Sequence, residues 1–178
     1  MYVMEKCLLA CFNAMQDVIE KMDGLFLKTA LGSYHSTEPC EAICDKLIEM
    51  TERKADLLFL VDTIEKALGN LPSERRKFLE YKFFGVKDDE IESIKGSRKY
   101  YRRQLAAIVG FSVELKKVGF TEDDFKDMAL KFSFIASVYK DFSNKNAIAQ
   151  SLPSSCYKVS NGKILSSTAI RPRSIRSL

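Results

Sequence analysis

The sequence has little of what most catalytic and β-rich proteins need. Its 178 residues include no Trp, one His (His35), four Pro and eight Gly. A single His leaves little material for acid–base catalysis, and so few turn-forming residues disfavour a β-sandwich. We find no phosphate-binding glycine loop and no motif-spaced carboxylate pair, so we predict neither an enzyme nor a cofactor. No stretch approaches the roughly 18 apolar residues of a membrane span, so we expect no membrane partner.

The cysteines form two pairs and a single residue, Cys7, Cys11, Cys40, Cys44 and Cys156. Their odd number and wide spacing differ from a small secreted disulfide scaffold and favour a cytoplasmic protein. Each pair is spaced four residues apart, which places both thiols on one helix face. The tight C-x2-C knuckle of common zinc sites is missing, so we interpret these residues as core and predict no metal.

Charge is divided unevenly along the chain. Residues 1–70 carry 7 basic and 12 acidic side chains. Residues 71–120 carry the reverse, 12 basic and 7 acidic side chains. Residues 151–178 carry 5 basic and no acidic side chains, and eight of them are Ser. This last segment has no sustained helical or strand period, so we predict a disordered basic tail. It is either a non-specific nucleic-acid arm or a solvated terminus.

Two heptad patterns predict a long helical hairpin in residues 1–70. Apolar residues recur at alternating steps of four and three from Met4 to Leu25, and again from Ile43 to Leu68, as in packed coiled-coil helices. Lys54 is the one polar interruption of the second seam, and we expect its ammonium group at the seam's edge. The pattern fits pairing within one chain or between chains, so a homo-oligomer through residues 1–68 is one interpretation.

Residues 71–120 contain signals for three short helices separated by glycine turns. Gly85 ends the first predicted helix and Gly96 ends the second. Ser97 is a suitable N-cap for the third helix. The apolar side of that helix is predicted to contain three residues at helical spacing, Tyr101, Leu105 and Ile108. The order of helices and turns predicts a helix-turn-helix arrangement.

The same segment contains an ordered set of motifs, namely Leu71-Pro72, Arg76, Phe78-Leu79, Tyr81-Lys82-Phe83-Phe84, Gly85, Glu90-Ile91, Gly96, Ser97-Arg98 and Tyr101-Arg102-Arg103. In these residues the chain resembles region 4, the promoter-recognition domain of the bacterial sigma-70 family of RNA polymerase sigma factors. The resemblance implies a sigma-region-4-like helix-turn-helix protein that acts in transcription regulation. It also implies double-stranded DNA and RNA polymerase as partners.

The third predicted helix begins with a run of cations that suits DNA. Arg98, Lys99 and Arg102 are the predicted base contacts, because the N-terminal end of a recognition helix meets base edges. The predicted contacts to the DNA backbone are cations and a hydroxyl nearby, Arg75, Arg76, Lys77, Lys95, Ser97 and Arg103. The alternative is a solvated basic face that balances the acidic hairpin.

Residues 121–150 are predicted to form a C-terminal amphipathic helix. Thr121 and Asp124 have the spacing of a capping box, and apolar residues follow at helical spacing from Phe125 to Tyr139. The whole chain is therefore predicted to be all-α and to bind DNA as a transcriptional regulator or sigma-like accessory factor. The competing hypothesis is a protein–protein interaction module with a degenerate helix-turn-helix. It is favoured by Glu92 and Lys95, which stand where the family usually has a small and an apolar residue.

Overall fold

The computed structural model describes residues 2–33 and 37–151, and within them the fold is all-α, as predicted. In chain order the helices are α1 Val3–Gly32, α2 Cys40–Gly69, α3 Ser73–Leu79, a π-helical turn Glu80–Phe84, α4 Asp89–Ser93, α5 Arg98–Lys117, α6 Glu122–Lys131 and α7 Ser133–Ser151. None of these helices is both long and apolar enough to span a membrane. His35, Cys156 and residues 152–178 of the predicted tail lie outside the described residues.

Helices α1 and α2 pack against each other within one chain and form the predicted hairpin. Lys54 of α2 forms an ion pair with Asp23 of α1, and its side chain is 30% exposed. The expectation that Lys54 lies at the edge of the seam is confirmed. Its ammonium group reaches a carboxylate and so avoids the cost of burial without a partner.

The N-terminal half of α1 lies at the centre of the hydrophobic core. Leu8, Leu9 and Met15 are fully buried, and α1 contacts α2, α5, α7 and the π-helical turn. Burying a side chain of this size stabilises the fold by about 1.5–3 kcal/mol. Farther along the same helix, Leu27 and Leu31 are 62% and 66% exposed. The far half of the hairpin therefore carries apolar surface that the described chain does not cover.

Helices α4 and α5 follow at the predicted positions, whereas the first predicted helix, expected to continue to Gly85, consists of α3 and the π-helical turn. Gly85 and Gly96 have φ values of 73° and 79°, a left-handed conformation that favours glycine and reverses the chain after each helix. Ser97 Oγ accepts a hydrogen bond from the backbone N–H of Tyr100 at 3.2 Å, which confirms the predicted N-cap of α5. Helix α3 packs on α5, with the ring centroids of Phe78 and Tyr100 5.0 Å apart.

The buried side of α5 differs from the predicted one. Tyr101 and Leu105 are 61% and 56% exposed, and of the three predicted residues only Ile108 is buried. The buried residues of α5 are Tyr100, Ala107, Ile108, Gly110, Phe111, Ser112 and Leu115. The prediction failed because either of two adjacent tyrosines can begin an apolar stripe. Contact with Phe78 of α3 selects Tyr100 and turns Tyr101 outward.

The single helix predicted over residues 121–150 is divided into α6 and α7. Phe132 has extended backbone (φ −121°, ψ 102°) between them, and its side chain is buried. The apolar spacing continues across this break, so periodicity alone did not reveal it. The capping box at the start of α6 is confirmed, since the Thr121 N–H donates to Asp124 Oδ2 at 2.8 Å and the Asp124 N–H donates to Thr121 Oγ1 at 3.2 Å.

Candidate nucleic-acid interface

The exposed side of α5 carries the three predicted base contacts. Arg98, Lys99 and Arg102 are all exposed in the first two turns of the helix. Arg98 and Arg102 are four residues apart and share one face, and Lys99 flanks it. None of the three has an ion-pair or hydrogen-bond partner within the described residues. These side chains therefore present positive charge to solvent without an internal acid to neutralise it.

Two other predicted DNA contacts are held by acidic residues. Arg103 Nη1 donates to Glu90 Oε1 of α4 at 2.9 Å, and Lys95 Nζ donates to Glu92 Oε1 at 2.8 Å. All four side chains are exposed by more than a third, and ion pairs in such settings contribute little to stability. The Arg103–Glu90 pair connects α5 to α4, whereas the Lys95–Glu92 pair is local to α4 and the turn that follows it. Phosphate oxygens are equivalent partners that can replace the carboxylates.

Glu92 also connects α4 to the π-helical turn. Its carboxylate accepts a hydrogen bond from the hydroxyl of Tyr81 in addition to the one from Lys95. The hydrogen bonds from Lys95 and Tyr81 lower the pKa of Glu92, and the bond to Glu92 raises the pKa of the Tyr81 hydroxyl. Glu92 and Lys95 thus form one polar cluster with Tyr81.

Ser97 and the start of α3 account for the remaining predicted backbone contacts. The Ser97 hydroxyl is engaged as the N-cap of α5, and its backbone N–H donates to the carbonyl of Ile94 at 3.0 Å. Arg75, Arg76 and Lys77 are exposed in the first turns of α3. The Nε atom of Arg76 lies 3.4 Å from a carboxylate oxygen of Glu80, whereas Arg75 and Lys77 have no such partner in the described part of the chain.

An open cleft of about 710 Å³ lies on the exposed side of α5, beside Arg75 of α3. Its lining combines cations with small and medium apolar side chains, Arg75, Lys99, Arg102, Arg103, Leu105, Ala106 and Val109. The structure thus brings two predicted base contacts and two predicted backbone contacts to one concave surface. Lys77 borders a separate cleft of about 340 Å³ that also contains Glu74, Asp88 and Glu90. Arg75 and Arg103 line this cleft as well, so its three cations and three carboxylates balance.

The cysteine pairs lie in different environments. The Sγ atoms of Cys7 and Cys11 are 4.0 Å apart in the core, and Cys7 donates to the carbonyl of Ile135 at 3.5 Å. The hydrogen bond to Cys11 and burial raise the pKa of the Cys7 thiol. Cys40 and Cys44 are exposed at the start of α2, so the interpretation of the cysteines as core residues is right for Cys7 and Cys11 and wrong for this second pair. Among the described residues, no three His, Cys, Asp or Glu side chains are grouped to hold a metal ion.

Comparisons with known proteins identify no relative. No protein-family model matches the chain, and no curated protein or solved structure matches it.

Proposed function

We propose that the protein is a bacterial DNA-binding transcriptional regulator, or a sigma-like accessory factor, in which α3, α4 and α5 act as a helix-turn-helix domain. The observation that carries this proposal is the set of exposed cations Arg98, Lys99 and Arg102 at the start of α5, which have no ion-pair partner among the residues that the structure describes. A recognition helix meets base edges with its N-terminal residues, where its dipole also favours phosphate. The cations provide the contacts that bases and phosphates accept.

Phosphate contacts in this proposal come from both sides of the cleft. Arg75 of α3 lies on one side and Arg103 of α5 on the other, whereas Arg76 is exposed on α3 but does not line the cleft. Each cation that neutralises a phosphate releases a counterion, so affinity should fall steeply with salt. Arg103 and Lys95 exchange their carboxylate partners for phosphates when DNA binds, whereas Ser97 keeps its role as the N-cap.

The proposed partners include more than DNA. The resemblance to region 4 suggests RNA polymerase, and the uncovered apolar surface of the hairpin supports a homo-oligomer through residues 1–68. Leu27, Leu31 and Ile48 are 62%, 66% and 56% exposed there. Two packed helices bury one face each, so a second hairpin would complete a four-helix bundle. A regulator of transcription in a bacterium works in the cytoplasm, which is the location we propose.

The test is DNA binding by charge-reversal variants of the full-length protein, measured by fluorescence anisotropy at several salt concentrations. The variant Arg98→Glu/Arg102→Glu should lose at least ten-fold in affinity and have a shallower salt slope. The matched control is Lys82→Glu/Lys87→Glu, which makes the same change of net charge at two exposed lysines outside α5. A chain ending at Ser151 separates the contribution of the basic tail. Equal losses in both double variants would contradict a role for α5.

The second candidate is a protein–protein interaction module. It is favoured by the exposed leucines of the hairpin and by the excess of acidic side chains in residues 1–70. This candidate predicts that no duplex binds to the full-length protein at physiological salt. It also predicts that charge reversal at Arg98 and Arg102 leaves the binding of the protein partner unchanged.

A further inference from the structure

Two large apolar side chains lie on the cationic face of α5. Tyr101 and Leu105 are 61% and 56% exposed. At about 100° per residue, Leu105 lies within about 20° of Arg98 around the helix axis, in the middle of the exposed face. Tyr101 lies at the edge of this face, where its ring stands at 89° to that of Tyr100 with centroids 5.5 Å apart. Packing against a buried neighbour restricts the orientation of Tyr101.

Leu105 has no group that binds a phosphate, whereas Tyr101 has a hydroxyl that can donate to one. Phosphates are bound by cations, hydroxyls and N–H groups. In the major groove, the apolar group that a base presents is the C5-methyl of thymine, and aliphatic and aromatic side chains are its usual contacts. Leu105 also lines the cleft that contains Lys99 and Arg102, so an apolar and a cationic contact are available to one ligand.

The dimensions of α5 allow these residues to meet DNA together. Arg98 and Leu105 are seven residues apart, or about 10 Å along the helix axis. A major groove is about 12 Å wide, so a helix that places Arg98 on the base edges also brings its second turn into the groove. Val113, 46% exposed, lies about 12 Å beyond Leu105 and falls outside this reach.

We infer that Leu105, with Tyr101 beside it, is a specificity-determining residue that contacts thymine C5-methyl groups. The target DNA then carries thymine opposite the second turn of α5. This inference rests on the proposed function, since it requires α5 to lie in the major groove. In this arrangement Arg98 and Arg102 supply most of the affinity, and Leu105 adds a discrimination between bases that a phosphate-binding cation cannot provide.

The experiment begins with selection of preferred duplexes by the full-length protein from a pool with a randomised core. The affinity for the selected duplex is then compared with that for the same duplex carrying deoxyuridine at its thymines. Deoxyuridine lacks only the C5-methyl group. We expect the substituted duplex to bind about four-fold more weakly for each methyl group contacted, the effect of exposing one buried CH₂-sized group.

Variants then assign the effect to a residue. Leu105→Ala should reduce the ratio of the two affinities toward one, and Tyr101→Ala should reduce it in part. Both should keep the salt slope of the wild type, because no cation is removed. Val113→Ala is the matched control, an exposed apolar residue of the same helix, and should leave the ratio unchanged. Thermal unfolding of each variant confirms that the fold is retained.

The outcomes separate this inference from the function on which it rests. Equal affinity for the two duplexes, or a selection that enriches no sequence, overturns thymine recognition even where α5 cations bind DNA. A methyl preference that survives both Leu105→Ala and Tyr101→Ala also overturns it. Failure of the wild type to bind any duplex overturns the proposed function itself, and the exposed leucine and tyrosine then belong to a protein-binding surface.

Discussion

The guanidinium group of Arg75 lies against Gly110 of α5, so close that a Cβ atom added at Gly110 would stand 3.0 Å from Arg75 Nη1. The same Cβ would stand 3.1 Å from Cδ2 of Leu71, which is only 6% exposed and has little room to move. The missing side chain therefore lets the start of α3 approach α5. It also places Arg75 at the edge of the candidate DNA-binding cleft.

We predict opposite effects for alanine at two helical glycines. Gly24→Ala should raise the free energy of unfolding by about 0.5–1 kcal/mol, because Gly24 has open space around it and alanine favours a helix. Gly110→Ala should lose this gain to crowding, since overpacking costs about 1–3 kcal/mol. Urea denaturation measures both changes. Equal stabilisation by the two substitutions would show that Arg75 and Leu71 move aside freely.

Ser112 of α5 and Glu5 of α1 form a buried polar pair that joins the hairpin to α5. Ser112 Oγ donates to Glu5 Oε1 at 2.6 Å, and each residue is 6% exposed. Ser112→Ala removes a donor to a buried carboxylate, so we expect a loss of about 1–3 kcal/mol in the free energy of unfolding. Ser93→Ala, at an exposed serine, should change it by less than about 0.5 kcal/mol. Similar losses for both would mean that water replaces the Ser112 hydroxyl.

Low pH should weaken the hydrogen bonds through which Glu92 of α4 contacts Tyr81 of the π-helical turn, because the Glu92 carboxylate becomes protonated. Hydrogen bonds from Lys95 and Tyr81 hold the folded-state pKa of Glu92 below its ordinary value of 4.5. A group with a depressed folded pKa stabilises the fold above its unfolded pKa, and this contribution is lost as pH falls through the folded value. Glu92→Gln should therefore flatten the acid limb of a plot of Tm against pH below about pH 4.5.

The control for this experiment is Glu65→Gln, at an exposed glutamate of α2 that has no ion-pair partner in the described part of the chain. That substitution should leave the acid limb close to the wild-type one. An unchanged limb in Glu92→Gln would contradict a stabilising role for the cluster of Tyr81, Glu92 and Lys95.

Thiol labelling should divide the cysteines by burial. Cys40 and Cys44 are exposed and should react with iodoacetamide in the native protein. Cys7 and Cys11 are 0% and 1% exposed, so they should react only as fast as the protein unfolds. The raised pKa of the Cys7 thiol, from its hydrogen bond to Cys11 and from burial, likewise keeps it unreactive while the protein stays folded. Mass spectrometry of peptides sampled over time measures each site, and simultaneous labelling of all four would disprove the packing of α1.

Much of the candidate site was predictable from short-range signals. The Ser97 cap, the capping box of Thr121 and Asp124, and the glycine after each short helix are interactions between residues at most a few positions apart. Exposure of the cations that begin α5 was predictable for a similar reason, since charged side chains without partners stay in water. The pairing of Arg103 with Glu90 was not predicted, because the two residues are 13 positions apart and meet only when α4 folds against α5.

The sequence by itself determined the helical class, the positions of the glycine turns and the polarity of α5, because backbone propensity, capping and charge act locally. Only the tertiary structure decided which tyrosine of Tyr100 and Tyr101 is buried, where the C-terminal helix divides and which cations keep an acidic partner. Each of these depends on contacts between distant segments, such as Phe78 with Tyr100 and Cys7 with Ile135. Helical periodicity limits the choice of a buried face, but the helix that packs against it makes the choice.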